Sequence, residues 1–124
     1  MKITSFNPLI IAQDTKEILD VFEAMGFERK HLSDDIDHRD DISSVRMKDA
    51  NGFYVDITQN EQVPQTRTAI RMNVDNFDEA YEFLKSKGFV NTRGDKITDT
   101  GSAKATMMAS PSGFMISLIE HIKK

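Results

Sequence analysis

Few side chains in this sequence could do chemistry, and their spacing narrows what that chemistry is. The chain has no cysteine, which removes a thiol nucleophile, a thiolate metal site and a disulfide framework together. The most acidic stretch, SDDIDHRDD from Ser33 to Asp41, offers Asp35, Asp37 and His38 to a cation. It has no EF-hand spacing, so it reads as a solvated loop that could also serve as a lid. His31 and His121 lie near strand ends with no paired ligand at a known spacing, and read as surface histidines. No nucleophile elbow and no glycine-rich phosphate loop is present, and TRGD from Thr92 to Asp95 is an ordinary turn. One polar residue is out of place. In ASPSGFMISLIE, Phe114, Ile116 and Leu118 alternate with Met115, Ser117 and Ile119, so Ser117 puts a hydroxyl on an apolar face.

The elements that must carry these residues are written twice. DTKEILDVFEAMGFE, starting at Asp14, and NFDEAYEFLKSKGFV, starting at Asn76, share one plan at an offset of 62 residues. Each has a capping Asp or Asn, an amphipathic helix, and a Gly-Phe pair that ends it. KDANGFYVDI, from Lys48, matches ASPSGFMISL, from Ala109, at an offset of 61. The spacing predicts strands over roughly 3–12, 27–32, 43–49 and 53–59, then roughly 67–74, 89–93, 103–109 and 114–121. Tight turns are expected at Asn51-Gly52 and Ser112-Gly113, and NEQVPQT, with Pro64, reads as a linker. Ile18, Leu19, Phe22 and Met25 form the apolar face of the first helix, and Ala80, Phe83 and Leu84 that of the second. The expected fold is α+β. It is a single domain over 1–124 made of two βαβββ modules, about 1–62 and 63–124, whose mixed sheet curls into a cup with helices on its outer face.

With 124 residues the chain can bury a core without staples. The formal net charge is −4 and the basic residues are scattered, which argues against a nucleic-acid partner. No window approaches the run of about 18 apolar residues that a membrane span needs. The run LIIA near the start is too short for a signal-peptide core, so a cytoplasmic location is expected.

The paired βαβββ plan, with SPSGFMISLIE near the end and VDNFDEAYEFLKSKGF in the second half, resembles the vicinal oxygen chelate superfamily over the whole chain. That superfamily includes glyoxalase I, extradiol dioxygenases, fosfomycin-resistance enzymes and metal-free bleomycin-binding proteins. Its last strand usually opens with Asp, where this chain has Ser110. The resemblance places the family's four metal-ligand positions on Asn7, Asp56, Ala69 and Ser117, and the internal repeat pairs Asn7 with Ala69 and Asp56 with Ser117. Only Asp56 would ligate a metal well, so no metal and no cofactor is expected. Ser117 would then occupy the place of a lost carboxylate, or be a small polar residue bonded to a neighbouring strand.

Strand parity from an inward Asp56 puts Tyr54 and Thr58 beside it and sends Phe53, Val55 and Ile57 to the helices. It likewise turns Ala69, Arg71 and Asn73 inward and Ile70, Met72 and Val74 outward, with Asn7, Leu9 and Ile11 joining from the first strand. Parity does not decide between Met107 and Met108. The candidate ligand-binding residues are Asn7, Tyr54, Asp56, Arg71, Met115 and Ser117. Arg71 would hold an anionic or carbonyl-bearing molecule, Asp56 would orient it, and Tyr54 and Met115 would pack on it. Asp56 and Arg71 could equally be an ion pair that only neutralises two charges. The resulting expectation is a homodimeric protein that binds a small organic molecule, with sequestration of a drug or metabolite as its use. The alternatives are a metal-dependent glyoxalase-like lyase or dioxygenase using Asp56 with Glu120 or His121, and an interaction module with an unused cup.

Overall fold

The local signals that end each helix and open each hairpin are the same in both halves of the chain. After the first helix Gly26 has φ +100° and the amide of Phe27 reaches back to the carbonyl of Phe22 at 3.0 Å. After the second, Gly88 has φ +92° and Phe89 reaches Leu84 at 3.0 Å. Both are left-handed glycine stops of the Schellman kind. At the hairpin turns Gly52 and Gly113 also take positive φ. There the carboxylate of Asp49 accepts the amide of Phe53 at 2.8 Å, and the hydroxyl of Ser110 accepts that of Phe114 at 3.0 Å. Ser110 therefore does with a hydroxyl what Asp49 does with a carboxylate.

The computed structural model describes residues 1–33 and 42–122, so most of the acidic stretch considered above, including Asp35, Asp37 and His38, lies outside the described residues. The elements are β1 (Ile3–Ala12), α1 (Lys16–Ala24), β2 (Glu28–Ser33), β3 (Ile42–Lys48), β4 (Tyr54–Asn60), β5 (Arg67–Val74), α2 (Phe77–Ser86), β6 (Val90–Asn91), β7 (Thr98–Asp99), β8 (Ala103–Ala109) and β9 (Met115–His121). They divide into two compact units. An N-terminal unit comprises Asn7–Thr68, and a C-terminal unit joins Met1–Phe6 to the chain from Ala69 onward. The class is α+β: the first half reads βαβββ, and the second repeats that order with one more short strand, β7. Among the described residues no helix is long and apolar enough to cross a membrane.

In the N-terminal unit the strand order is β2-β3-β4-β1, with β1 parallel to β4 and the other pairs antiparallel. Leu19 of α1 packs with Val45, Met47, Val55 and Ile57, and Ile18 and Phe22 extend the contact. In the C-terminal unit the order is β5-β9-β8-β6, with β7 also on β8 and β5 parallel to β9. Phe77, Ala80 and Leu84 of α2 pack with Met72, Met108 and Leu118, joined by Tyr81. Each fully buried side chain of this size contributes about 2 kcal/mol.

Several expectations change. Met25 is 59% exposed because α1 ends at Ala24, which leaves Met25 on the turn rather than on the helical face. Phe83 is 50% exposed, since the buried stripe of α2 runs through Phe77, Ala80, Tyr81 and Leu84. Phe53 is 67% exposed because it precedes β4 and sits on the turn. Asn76 caps α2, accepting the amide of Glu79 at 3.0 Å. In α1, by contrast, the cap position falls on Thr15, and Asp14, one residue earlier, accepts the amide of Lys16 at 3.0 Å. The sixth strand shrinks to two residues and a further short strand follows it.

Candidate functional site

Alternation along β4 separates two kinds of side chain. Val55 and Ile57 join the core under α1, while Tyr54, Asp56 and Thr58 take the opposite face. The same parity on β3 buries Val45 and Met47 and turns Arg46 to the face of Asp56, its direct partner in the antiparallel register. On β1, Leu9 is the residue opposite Asp56, and Asn7 lies on the same side two residues earlier.

These side chains form one cluster. Asp56 is 1% exposed and its Oδ2 accepts the Asn7 Nδ2–H at 2.7 Å. Arg46 Nη1 stands 3.4 Å from the same oxygen, and its Nη2 is 3.4 Å from Asn7 Oδ1. These distances are long for a charge-assisted bond, so the guanidinium is held by its charge more than by a tight fork. The Tyr54 ring also supports it, its centroid 4.2 Å from the guanidinium carbon, with the Lys48 ammonium 5.3 Å from that centroid. Beside the cluster Thr58 Oγ1 donates to Ser44 Oγ at 3.1 Å.

The C-terminal unit repeats the positions with other residues. Arg71 and Met107 are the register partners of Ser117, as Leu9 and Arg46 are of Asp56. Arg71 Nε donates to Asn73 Oδ1 at 3.2 Å, and its Nη2 is 3.5 Å from His121 Nε2. Met115 and Ser117 are half-buried and Ala69 is buried. Met108 is fully buried under α2, so Met107 is the methionine on the face of Ser117. Glu120 has the parity of Ile116 and Leu118. Its carboxylate accepts the amide of Phe77 at 2.6 Å, at the start of α2, which turns it away from Ser117. Of the candidate residues, Asn7, Tyr54 and Asp56 are thus brought together in one unit, and Arg71, Met115 and Ser117 share a face in the other. Arg46 was absent from the candidates; its signal was its place between Val45 and Met47, two apolar residues of opposite parity.

A divalent metal does not suit the donors present. Asn7 presents its amide N–H, not its oxygen, to Asp56, and a guanidinium already bears on that carboxylate. Ala69 has no donor and Ser117 is a neutral hydroxyl. Among the described residues no three His, Cys, Asp or Glu side chains stand together as metal ligands.

The architecture is that of the vicinal oxygen chelate fold. Methylmalonyl-CoA epimerase from Mycobacterium tuberculosis superposes with a TM-score of 0.73 at 12% identity, over 98% of this chain and 90% of the epimerase. A glyoxalase/bleomycin resistance protein/dioxygenase superfamily member from Vibrio splendidus 12B01 gives 0.62 at 14% identity, over 96% and 99%. A Streptomyces coelicolor methylmalonyl-CoA epimerase variant in complex with 2-nitronate-propionyl-CoA gives 0.69 at 13% identity, over 98% and 100%. No family model matches the chain, and no curated protein matches it in sequence.

Proposed function

We propose that the chain is one ligand-binding domain of two βαβββ modules that holds a small organic molecule without a divalent metal, in the cytoplasm and as a homodimer. The observation that carries this reading is the Asp56 cluster. A buried carboxylate at a position where the resemblance puts a metal ligand instead accepts an amide N–H from Asn7 and faces the charge of Arg46, with the Tyr54 ring beside that guanidinium. A few convergent polar groups next to an aromatic wall are what small-molecule sites are made of. In the C-terminal unit Arg71, Met115 and Ser117 hold the corresponding face, and we assign them to ligand contact as well. Sequestration of a drug or metabolite is the use we propose, by analogy with a fold shared with bleomycin resistance proteins.

The test is to strip the purified protein of metal and titrate it calorimetrically with Ni(II), Zn(II) and Mn(II). A thermal-shift screen of small organic molecules follows, with acyl-CoA thioesters included because one structural neighbour was solved with methylmalonyl-CoA. The expected result is no tight metal binding and at least one stabilising organic molecule. One tightly bound ion per chain overturns the metal-free reading in favour of a metal-dependent lyase, dioxygenase or epimerase. Light scattering checks the dimer.

A further inference from the structure

Burial orders the cluster from back to front. Asp56 is 1% exposed, Asn7 5%, and the Arg46 side chain 19%, so a molecule arriving at this face meets the guanidinium and the Tyr54 ring before it meets the carboxylate. We infer that Arg46 is the resident cation of this site and selects a small organic carboxylate, with Asp56 and Asn7 acting as positioning residues that aim it. This inference rests on the small-molecule reading above and names the ligand class it implies.

A guanidinium stays charged at any physiological pH and matches a planar carboxylate, which makes it a fixed counter-ion rather than a titrating one. Its orientation is set before a ligand comes, because Asp56 and Asn7 bear on it from one side and Tyr54 supports its plane. Preorganisation of this kind reduces the side-chain entropy lost on binding.

A second cation stands close by: the Lys48 ammonium lies 5.3 Å from the centroid of the same Tyr54 ring that carries the Arg46 guanidinium, and its charge favours an acid over the matching amide at this face.

The test uses matched pairs that differ by one charge: benzoate with benzamide, phenylacetate with phenylacetamide, and hexanoate with hexanamide, each titrated by NMR into the intact protein. The wild type should prefer the acid of at least one pair over its amide by about tenfold or more. The double variant Arg46→Met with Asp56→Asn removes both charges, so no buried carboxylate is orphaned, and should bring the two within about twofold of each other. Arg46→Lys should keep part of the preference, because the charge remains while the planar fork is lost. Equal affinity for acids and amides in the wild type, or a preference that survives the double variant, overturns the inference. If only neutral or cationic molecules from the thermal screen bind, the carboxylate assignment falls and the small-molecule reading stands. If that screen stabilises nothing either, both fall.

Discussion

The two repeats keep one backbone and carry different chemistry. Leu9, Asp56 and Arg46 are in register across three strands of the N-terminal unit, and Arg71, Ser117 and Met107 are in register across the corresponding three of the C-terminal unit. The first row places a buried carboxylate against a guanidinium. The second moves the guanidinium to the opposite flank, replaces the carboxylate by a hydroxyl, and puts a thioether where the first has its cation. Ladder hydrogen bonds join main-chain groups only, so a strand keeps its register while every side chain on one face is exchanged. The positions are properties of the fold, and the function resides in what fills them.

The largest contrast lies where the two helices begin, at Phe77, the first residue of α2, and at Thr15, which the 62-residue offset makes its equivalent and which caps α1. Phe77 is 1% exposed beneath α2, and Phe77→Ala should cost about 4 kcal/mol in urea unfolding. Its counterpart Thr15 offers one hydroxyl bond to Gln59 Oε1 at 3.2 Å, and Thr15→Ala should cost about 1 kcal/mol. Equal losses would show that the two helices are held alike.

Next in size is the site. Asp56→Ala leaves Arg46 without the carboxylate it faces. Since that side chain is 19% exposed and can turn toward water, the expected cost is about 2 kcal/mol, with ligand binding lost and folding kept. Ser117→Ala, at the equivalent position, should cost less than about 1 kcal/mol. A glycine pair sharpens the contrast further. Both Gly26 and Gly88 have positive φ, so alanine is strained at either by about 1 kcal/mol. At Gly88, however, the new Cβ would stand 3.3 Å from Pro111 Cγ, whereas at Gly26 it meets nothing within 4 Å. Gly88→Ala should therefore lower the melting temperature more than Gly26→Ala.

The smallest effect concerns an exposed i,i+4 ion pair on the first helix, which has no counterpart on the second among the described residues. The bond from Lys16 Nζ to Asp20 at 2.7 Å, with the nearby carboxylate charge, raises the Lys16 pKa above its ordinary value. A raised amine pKa means that the pair's contribution is complete below the usual lysine range and disappears as pH climbs through the folded-state value. Asp20→Asn should return the Lys16 titration toward normal by NMR and barely move stability.

Much of the architecture was legible because it was written twice. The Gly-Phe stops, the two hairpin turns and the limits of β1 and β5 follow from local chemistry and from the offsets of 62 and 61 residues. What escaped depends on tertiary context. Met25, Phe53 and Phe83 are apolar, and apolarity alone does not tell a core position from an exposed turn or helix flank. The short β6 and β7 lack any alternation. Side chains hold that region, with Asn91 Nδ2 donating to the Lys96 carbonyl at 2.9 Å and Thr106 Oγ1 to Asn91 Oδ1 at 2.8 Å. Arg46 was missed because a charged residue between two apolar ones also describes an ordinary half-solvated strand. Only the pairing of β3 with β4 sets it against Asp56.

The division of β1 has a consequence in time. Asn7–Thr68 form one unit continuous in sequence, so every partner that unit needs is present once residue 68 has been made. Residues 1–6 belong with the chain from Ala69 onward, where the amide of Lys2 meets the Asp75 carboxylate and the Asp75 amide meets the Lys2 carbonyl at 3.0 Å. The two ends of β1 therefore find their partners at very different sequence separations, and closing the contact of residues 1–6 spans more than sixty residues of chain. The second unit is thus discontinuous in sequence, and it closes only where the chain from Ala69 onward meets residues 1–6.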